Sequence, residues 1–213
     1  MGDKNYDKPL IIGPGREYLF YIGFTEDVSH QVTLALTSID GVELFGVKWF
    51  LVEMGIESYR LPTQDVPGEL SLDGAEAVKL EFRTPTLLLD PFKESRYKRF
   101  LPLPGIVFAY NIGDLLRMQR NREYIEAVNI VNTVLNETYS ALETVKPIKY
   151  IYEGKQLPGI TGYIKYIIDW DLVEKLEIKN FLENLLLHTK IMGIGTSRAN
   201  GFGHTTVKIV KKH

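Results

Sequence analysis

The last part of the chain contains a glycine-rich segment whose residue types could bind phosphate. Residues 193–204 read GIGTSRANGFGH and contain Gly193, Gly195, Arg198, Gly201 and Gly203. Glycine tolerates positive φ and lets a backbone approach a ligand closely, and exposed backbone N–H groups beside an arginine can hold phosphate oxygens. A helix C-cap followed by a bulged turn would also need one or two of these glycines. Four glycines around one arginine, with no acid nearby, favour the phosphate interpretation.

The elements on either side of this glycine loop (residues 193–204) exclude two common nucleotide motifs. The loop follows a predicted helix and precedes a predicted strand, whereas a dinucleotide-binding GxGxxG follows a strand and opens a helix. The GxxxxGKS/T pattern of a P-loop is absent from the sequence. We therefore expect the loop to contact backbone phosphates.

Acid–base chemistry near neutral pH favours histidine, whose ordinary pKa lies in that range. His30 lies in the first turns of a predicted helix and off its apolar stripe of Val28, Val32 and Leu36, so it is the leading catalytic candidate. A histidine on the surface or at a helix terminus is the alternative interpretation. His204 adjoins the glycine loop, where it could contact a polyanion or simply begin the last strand.

The sequence offers no pattern for a metal or a cofactor. It contains no cysteine and no HExxH pair, which excludes disulfides, thiol catalysis and cysteine-ligated zinc. His188 falls in a helix expected to pack on the core, and His213 is the last residue. We therefore expect neither a metal nor a cofactor, and no role in chemistry for these two histidines.

Charge is distributed unevenly along a chain that is nearly neutral overall. The 213 residues carry a formal net charge of −2, which argues against a non-specific nucleic-acid coat. Residues 143–213 nevertheless hold 11 basic and 7 acidic side chains, and a second basic segment at 91–122 includes Arg117 and Arg120. Two basic segments on a weakly acidic protein indicate a face for an anionic partner; solvated surface charge is the alternative.

Hydrophobic periodicity predicts the elements of the first part of the chain. Residues 16–24 are aromatic and β-branched and predict a strand, residues 28–39 predict a helix, and residues 42–59 predict extended chain with a bulge at Gly46. The polar stretch LPTQDVPGELSLDG at 61–74 is the best candidate boundary. We expect an N-terminal unit at 1–75 and a C-terminal unit at 76–213.

The C-terminal unit has the element order of a split βαβ fold. We predict a strand over 77–89 with Pro85 at an edge or bulge, then a helical pattern over 111–142 that breaks near 120–122. Two strands, a helix ending at Gly193 and a last strand at 205–210 follow. This strand–helix–strand–strand–helix–strand order approximates a ferredoxin-like unit. The fold class is therefore α+β, with tandem ferredoxin-like (RRM-like) folds of which the first is abbreviated.

Several blocks of the sequence carry a resemblance to a known family. The segment GIGTSRANGFGHTTVKIV resembles the C-terminal signature of the CRISPR-associated RAMP endoribonucleases that process precursor CRISPR RNA, the sixth Cas family. Similar blocks in the same order are REYLFYIGFTEDVSHQVTLALTSIDG, VKLEFRTPTLLLD, RFLPLPGIVFAYNIGDLLRM and LPGITGYIKYII. The similarity extends over about residues 16–210, and the glycine loop is its most specific motif.

The resemblance implies RNA binding across a cleft between two ferredoxin-like folds and cleavage without a metal. It implies that Gly193, Gly195, Arg198, Gly201 and Gly203 form the RNA-binding loop, and that the catalytic histidine lies on the first helix, here His30. Arg117, Arg120 and His204 complete the expected RNA-binding set. The partner would be CRISPR repeat RNA; a homodimer and other Cas proteins are further candidates. The sequence has no signal peptide and no apolar stretch of roughly 18 residues, which favours a cytoplasmic protein without a membrane partner.

Metal-free cleavage would use the 2′-OH as internal nucleophile and leave a 2′,3′-cyclic phosphate and a 5′-OH. Two departures from the family pattern bear on this expectation: the N-terminal region is short, and the stretch GVELFGVKWF carries Lys48 as its only base. Tyr21 and Lys48 are reserve catalytic candidates. The alternatives are a non-catalytic RAMP subunit that binds guide RNA in an effector complex, and a ferredoxin-like domain that binds a small molecule.

Overall fold

The computed structural model describes residues 13–44, 46–59, 70–93, 97–117, 121–138, 141–152 and 155–212. Their contacts divide them into two compact units, one within Pro9–Ser58 and one within Tyr59–His213. The expected boundary at 75/76 stays a prediction, and residues 60–69 of the boundary stretch lie outside the described part of the chain.

The unit within Pro9–Ser58 contains a helix and a hairpin. A 3₁₀ turn at Glu26–Val28 leads into helix α1 at Ser29–Thr37, which agrees with the helix predicted over 28–39. Strands β1 (Val42–Leu44) and β2 (Val47–Trp49) then pair antiparallel. Gly46 has a φ of 74° between these strands, so it serves the turn of the hairpin rather than a bulge.

The strand predicted over 16–24 is wrong, because these residues adopt neither helix nor strand. Leu19, Phe20 and Tyr21 are all more than half exposed. Aromatic and β-branched residues favour a strand only where a neighbouring strand supplies hydrogen bonds and a packed face. In the described residues β1 and β2 pair with each other and not with this segment.

The unit within Tyr59–His213 is built on an antiparallel sheet. Its strands are β3 (Ala75–Thr86), β6 (Leu135–Glu137), β7 (Val145–Tyr152), β8 (Lys155–Ile168) and β9 (Thr205–Lys211). The order is β6-β8-β3-β9, and β7 also pairs with β8. If β6 and β7 are counted as one divided strand, this is the order of a ferredoxin-like split βαβ unit. The small pair β4 (Leu88–Leu89) and β5 (Lys98–Arg99) lies outside the sheet.

Helices supply the second layer of this unit. They are α2 (Pro104–Val107), α3 (Ala109–Leu116), α4 (Arg122–Val134), α5 (Ala141–Thr144), α6 (Trp170–Lys175) and α7 (Lys179–Met192). Apolar residues of α3, α4 and α7 pack with one face of the sheet in a single core. The α+β class is confirmed, and the predicted break in the helix near 120–122 falls between α3 and α4. The helical pattern predicted to continue to 142 is wrong over Leu135–Glu137, which pair with β8 as β6.

Two features of the sheet determine where the glycine loop lies. The pairing of β3 with β8 is irregular between Phe82 and Thr86, which confirms the irregularity predicted at Pro85, since proline has no N–H for the ladder. The last strand, β9, pairs along the other side of β3. The chain therefore passes from α7 to β9 directly beside the irregular end of β3.

Candidate functional site

The glycine loop is joined to the end of β3 by backbone hydrogen bonds. Ile194 N–H donates to the carbonyl oxygen of Gly203 (2.8 Å), and Gly203 N–H donates to the carbonyl oxygen of Pro85 (3.0 Å). Thr196 N–H donates to the carbonyl oxygen of Leu87 (2.9 Å). The two ends of the loop are thus joined to each other and to the segment Pro85–Leu87 by backbone hydrogen bonds, which fix both ends.

Glycine is required where these backbones meet. A Cβ at position 203 would lie 1.8 Å from the carbonyl oxygen of Ile194, and one at position 195 would lie 2.5 Å from the carbonyl oxygen of Leu87. A Cβ at Gly193 would lie 2.6 Å from the carbonyl oxygen of Gly203. All three glycines also have positive φ. Close packing inside the protein therefore explains three of the four glycines.

The middle of the loop is exposed. We call residues 197–201 the loop tip; Ser197, Ala199, Asn200 and Gly201 are exposed, and a Cβ at Gly201 would meet nothing within 4 Å. On either side, Ile194 and Phe202 are buried and anchor the tip. The amides of Gly193, Gly201 and Gly203 donate to carbonyls of the protein, so these three are not available as phosphate donors in this conformation. The RNA-binding role of the four glycines stays a prediction.

Arg198 is held by an acidic side chain of helix α3. Its Nη2 lies 2.6 Å from Oδ2 of Asp114, and the side chains are 20% and 40% exposed. Nη1 of Arg198 is buried and has no hydrogen-bond partner in the described part of the chain. The ion pair thus fixes the loop tip beside the C-terminal end of α3, and half-buries the guanidinium proposed to meet RNA.

The same carboxylate also faces His188 of helix α7. His188 Nε2 lies 3.8 Å from Asp114 Oδ2, and the Asn111 amide nitrogen lies 3.0 Å from His188 Nδ1. That amide also donates to the carbonyl oxygen of Gly193 (2.8 Å), which fixes its orientation. Because the amide nitrogen only donates, Nδ1 must accept, and the imidazole proton sits on Nε2, facing the carboxylate.

This arrangement keeps His188 neutral. Burial lowers the pKa of His188, and the nearby Arg198 lowers it further against the opposing effect of Asp114. A second proton would also have to stand on Nδ1, against the donating amide of Asn111. His188 thus braces the end of α7 where the loop begins.

Two other predicted RNA-binding residues, Arg117 and His204, lie around the same end of the unit. Arg117 is exposed and caps α3 with a φ of 51°. His204 is half-buried, and its backbone N–H donates to Thr84 Oγ1 (2.9 Å). Burial lowers the pKa of His204, and the nearby Arg83 lowers it further. Arg120 lies outside the described residues, as does His213.

His30 belongs to the other unit and sits on helix α1. Its side chain is exposed, and no residue of α1 is buried. Of the three histidines among the described residues, His30 is the one classed as exposed, while His188 and His204 are partly buried. This placement agrees with the expectation that core packing does not engage His30.

The sequence analysis did not identify Asp114, Asn111 and Lys98 as side chains that contact the glycine loop. Lys98 of β5 donates to Thr196 Oγ1 (3.2 Å), and burial lowers its pKa. Asn111 and Asp114 are three residues apart on one helix, and so share a face; that spacing was the available signal. Their partners lie more than 75 residues away, which a single sequence does not reveal.

The described residues contain neither a candidate metal centre nor a candidate membrane-spanning helix. No group of three or more histidine, aspartate or glutamate side chains among them could hold a metal ion. No helix in the described ranges is long and apolar enough to cross a membrane.

Comparison with known proteins gives a family and several solved structures. The family model for the CRISPR-associated endoribonuclease Cas6 matches residues 80–205. Thermus thermophilus Cas6 (TTHB231) is 18% identical, with 64% of this chain and 56% of that chain covered and a TM-score of 0.46. A product complex of Cas6 (TTHB231) is 18% identical, with 64% of this chain and 54% of that chain covered and a TM-score of 0.47. A substrate mimic complex of Cas6 (TTHA0078) is 14% identical, with 63% of this chain and 54% of that chain covered and a TM-score of 0.45. No curated protein matches the chain.

The second unit is thus a ferredoxin-like α+β domain with a glycine loop clamped against its first strand. The family match extends from β3 to the first residue of β9 and covers more than half of the chain. The chain belongs to the CRISPR-associated endoribonuclease Cas6 family, as the resemblance implied. The chain spans little more than half the length of these solved Cas6 proteins.

Proposed function

We propose that this protein binds CRISPR repeat RNA and cleaves it without a metal ion, in the maturation of CRISPR RNA for antiviral defence. The 2′-OH attacks the adjacent phosphate, and the products carry a 2′,3′-cyclic phosphate and a 5′-OH. Family membership over residues 80–205 is the observation that carries the proposal. The clamped glycine loop, which lies within that range, supports it.

The loop tip and the end of α3 form the proposed RNA-binding surface. Arg198 and Arg117 bring two permanent positive charges to this region, and the remaining tip residues are exposed and small (Ser197, Ala199, Asn200 and Gly201). Phosphate contacts of this kind position an RNA without reading its sequence. We propose that RNA shares the Arg198 guanidinium with Asp114, while the glycines at 193, 195 and 203 set the path of the loop. Arg120 and His204 complete the proposed set.

His30 is the proposed acid–base group. An exposed histidine on a helix surface can reach a bound RNA and exchange protons near neutral pH. The exposed position of His30 on α1 supports this role. Tyr21, which is exposed, and Lys48 stay as reserve candidates in the same unit.

A non-catalytic RNA-binding subunit is the second candidate. The observation that favours it is that the described residues of the unit within Pro9–Ser58 form only one helix and one hairpin. Such a protein would bind guide RNA through the same loop and would not cut it. A homodimer and other Cas proteins are proposed partners in either case.

Incubation with repeat RNA in excess EDTA separates the two candidates. The endoribonuclease should produce one defined cut, and the 5′ fragment should end in a cyclic phosphate that acid opens. The His30→Ala variant is the matched protein control. Tight binding with intact RNA at all times would support the non-catalytic subunit instead.

A further inference from the structure

Among the described residues of the unit within Tyr59–His213, no helix covers one face of the large sheet, and that face carries a row of lysines. Side chains at alternate positions of β3, β8 and β9 are buried in the core, so the intervening residues form the opposite, open face. On that face Lys79 pairs directly with Lys165 of β8 on one side and with Lys208 of β9 on the other. With strands about 4.8 Å apart, three cations lie within about 10 Å.

This lysine row (Lys79, Lys165 and Lys208) is not neutralised within the described structure. No ion pair there joins any of the three ammonium groups to a carboxylate. Glu81, the next acidic residue on the open face of β3, pairs with Arg83 at 3.1 Å. The face therefore has a local excess of positive charge on a protein whose net charge is −2.

Like charges directly opposite each other weaken a sheet. The row contains two such pairs that share one residue. Lys79 is steered toward β8, because its Nζ lies 3.9 Å from the ring centre of Tyr163. Tyr163 is itself 38% exposed, so the ammonium group is held at the open surface and not buried. Sheet stability does not explain three aligned lysines, whereas an anionic ligand does.

We infer that the lysine row is a second binding surface, which takes the phosphate backbone of single-stranded RNA on the open face of the sheet. Lysines in register across three strands match a chain of phosphates better than a single small anion. The inference concerns binding alone and holds whether or not the protein cleaves RNA. It uses residues separate from the loop tip and from Arg117.

The test measures the salt dependence of binding to a fluorescein-labelled oligouridine, which contains no repeat sequence. The variant combines Lys79→Gln, Lys165→Gln and Lys208→Gln. A matched control combines Lys175→Gln, Lys190→Gln and Lys212→Gln, three exposed lysines on α6, on α7 and after β9. Each lost phosphate contact reduces the slope of log K against log salt by about 0.7 for a single strand. We expect the slope to fall by about 2 in the first variant and to stay unchanged in the control.

Two further readouts distinguish this inference from other roles of the lysines. Because repulsion is removed, the first variant should unfold at the same or a higher urea concentration than the unaltered protein, whereas a purely structural role predicts a lower one. Lysine acetylation read by mass spectrometry should show oligouridine protecting positions 79, 165 and 208 in the unaltered protein. Equal salt slopes in the two variants, or protection by polyglutamate but not by oligouridine, would overturn the inference.

Discussion

The carbonyl oxygen of Ile194 lies 1.8 Å from the point where a Cβ at Gly203 would stand. The two residues also share a hydrogen bond from Ile194 N–H to the Gly203 carbonyl oxygen. The two ends of the glycine loop are therefore closed on each other by backbone alone. This relationship places the exposed tip between two fixed points.

Replacement of Gly203 should destabilise the protein far more than replacement of Gly201. Both glycines have positive φ, so alanine at either position costs about 1–2 kcal/mol of backbone strain. Only Gly203→Ala adds a steric clash with backbone, because a Cβ at Gly201 meets nothing within 4 Å. Urea unfolding should show a loss of about 1–2 kcal/mol for Gly201→Ala and a clearly larger one for Gly203→Ala. Equal losses would contradict the described closure of the loop.

The Asp114→Asn change should separate the loop's stability from its affinity for RNA. It removes the carboxylate that holds Arg198 at 2.6 Å, and we expect the free energy of unfolding to fall by about 1 kcal/mol, since the pair is partly solvated. RNA should bind more tightly, because a negative charge leaves the surface and the guanidinium is released. Anisotropy titrations with repeat RNA at fixed salt measure the change. Weaker binding would show that Asp114 presents Arg198 to RNA and does not compete for it.

Arg198→Ala and His30→Ala should affect different steps. Loss of the Arg198 charge should weaken repeat-RNA binding more than loss of His30 does. His30→Ala should mainly slow cleavage, by about 10²–10⁴-fold for a lost acid–base group. Binding titrations and single-turnover cleavage, with urea unfolding of both variants as the control, provide the comparison. The assignment fails if His30→Ala cleaves at the unaltered rate.

Folding stability should fall as the pH drops from about 7.5 toward 5.5. Burial lowers the pKa of His188 in the folded protein, whereas in the unfolded chain histidine has its ordinary pKa of about 6.5. Below that pH the unfolded chain therefore binds more protons than the folded protein does. The contribution of neutral His188 to folding stability is therefore fully present above about pH 6.5 and is lost as the pH falls below that value. His188→Asn should show a smaller decrease over the same range in urea unfolding, with the remainder assigned to His204, whose pKa is also lowered. A decrease of the same size in the variant would contradict this origin.

Local sequence signals were sufficient for several elements of the second unit, whereas β6 (Leu135–Glu137) lies inside the helical pattern predicted over 111–142. Pro85 indicated the irregular end of β3, and the apolar spacing of 178–186 indicated α7, which the structure places at Lys179–Met192. Alternation over 205–210 indicated β9. These signals work because periodicity and missing backbone donors act within a few residues of the chain.

Signals that depend on distant partners were missed. The aromatic segment at 16–24 has strand propensity, but none of the described strands pairs with it. The glycine loop was identified correctly as a feature, yet the reason for three of its glycines is contact with Leu87 and with the other end of the loop. The ion pair between Arg198 and Asp114 joins residues 84 positions apart. Tertiary packing decides all three, and a single sequence does not encode it in local spacing.

One substitution in the RNA tests most directly the proposal that the chain cuts repeat RNA by attack of an internal 2′-OH. Once the cut has been mapped in EDTA, the nucleotide on its 5′ side is replaced by its 2′-deoxy form. We predict that this RNA binds with unchanged affinity and is not cleaved at that position. Cleavage of the deoxy-substituted RNA at the same bond would contradict it.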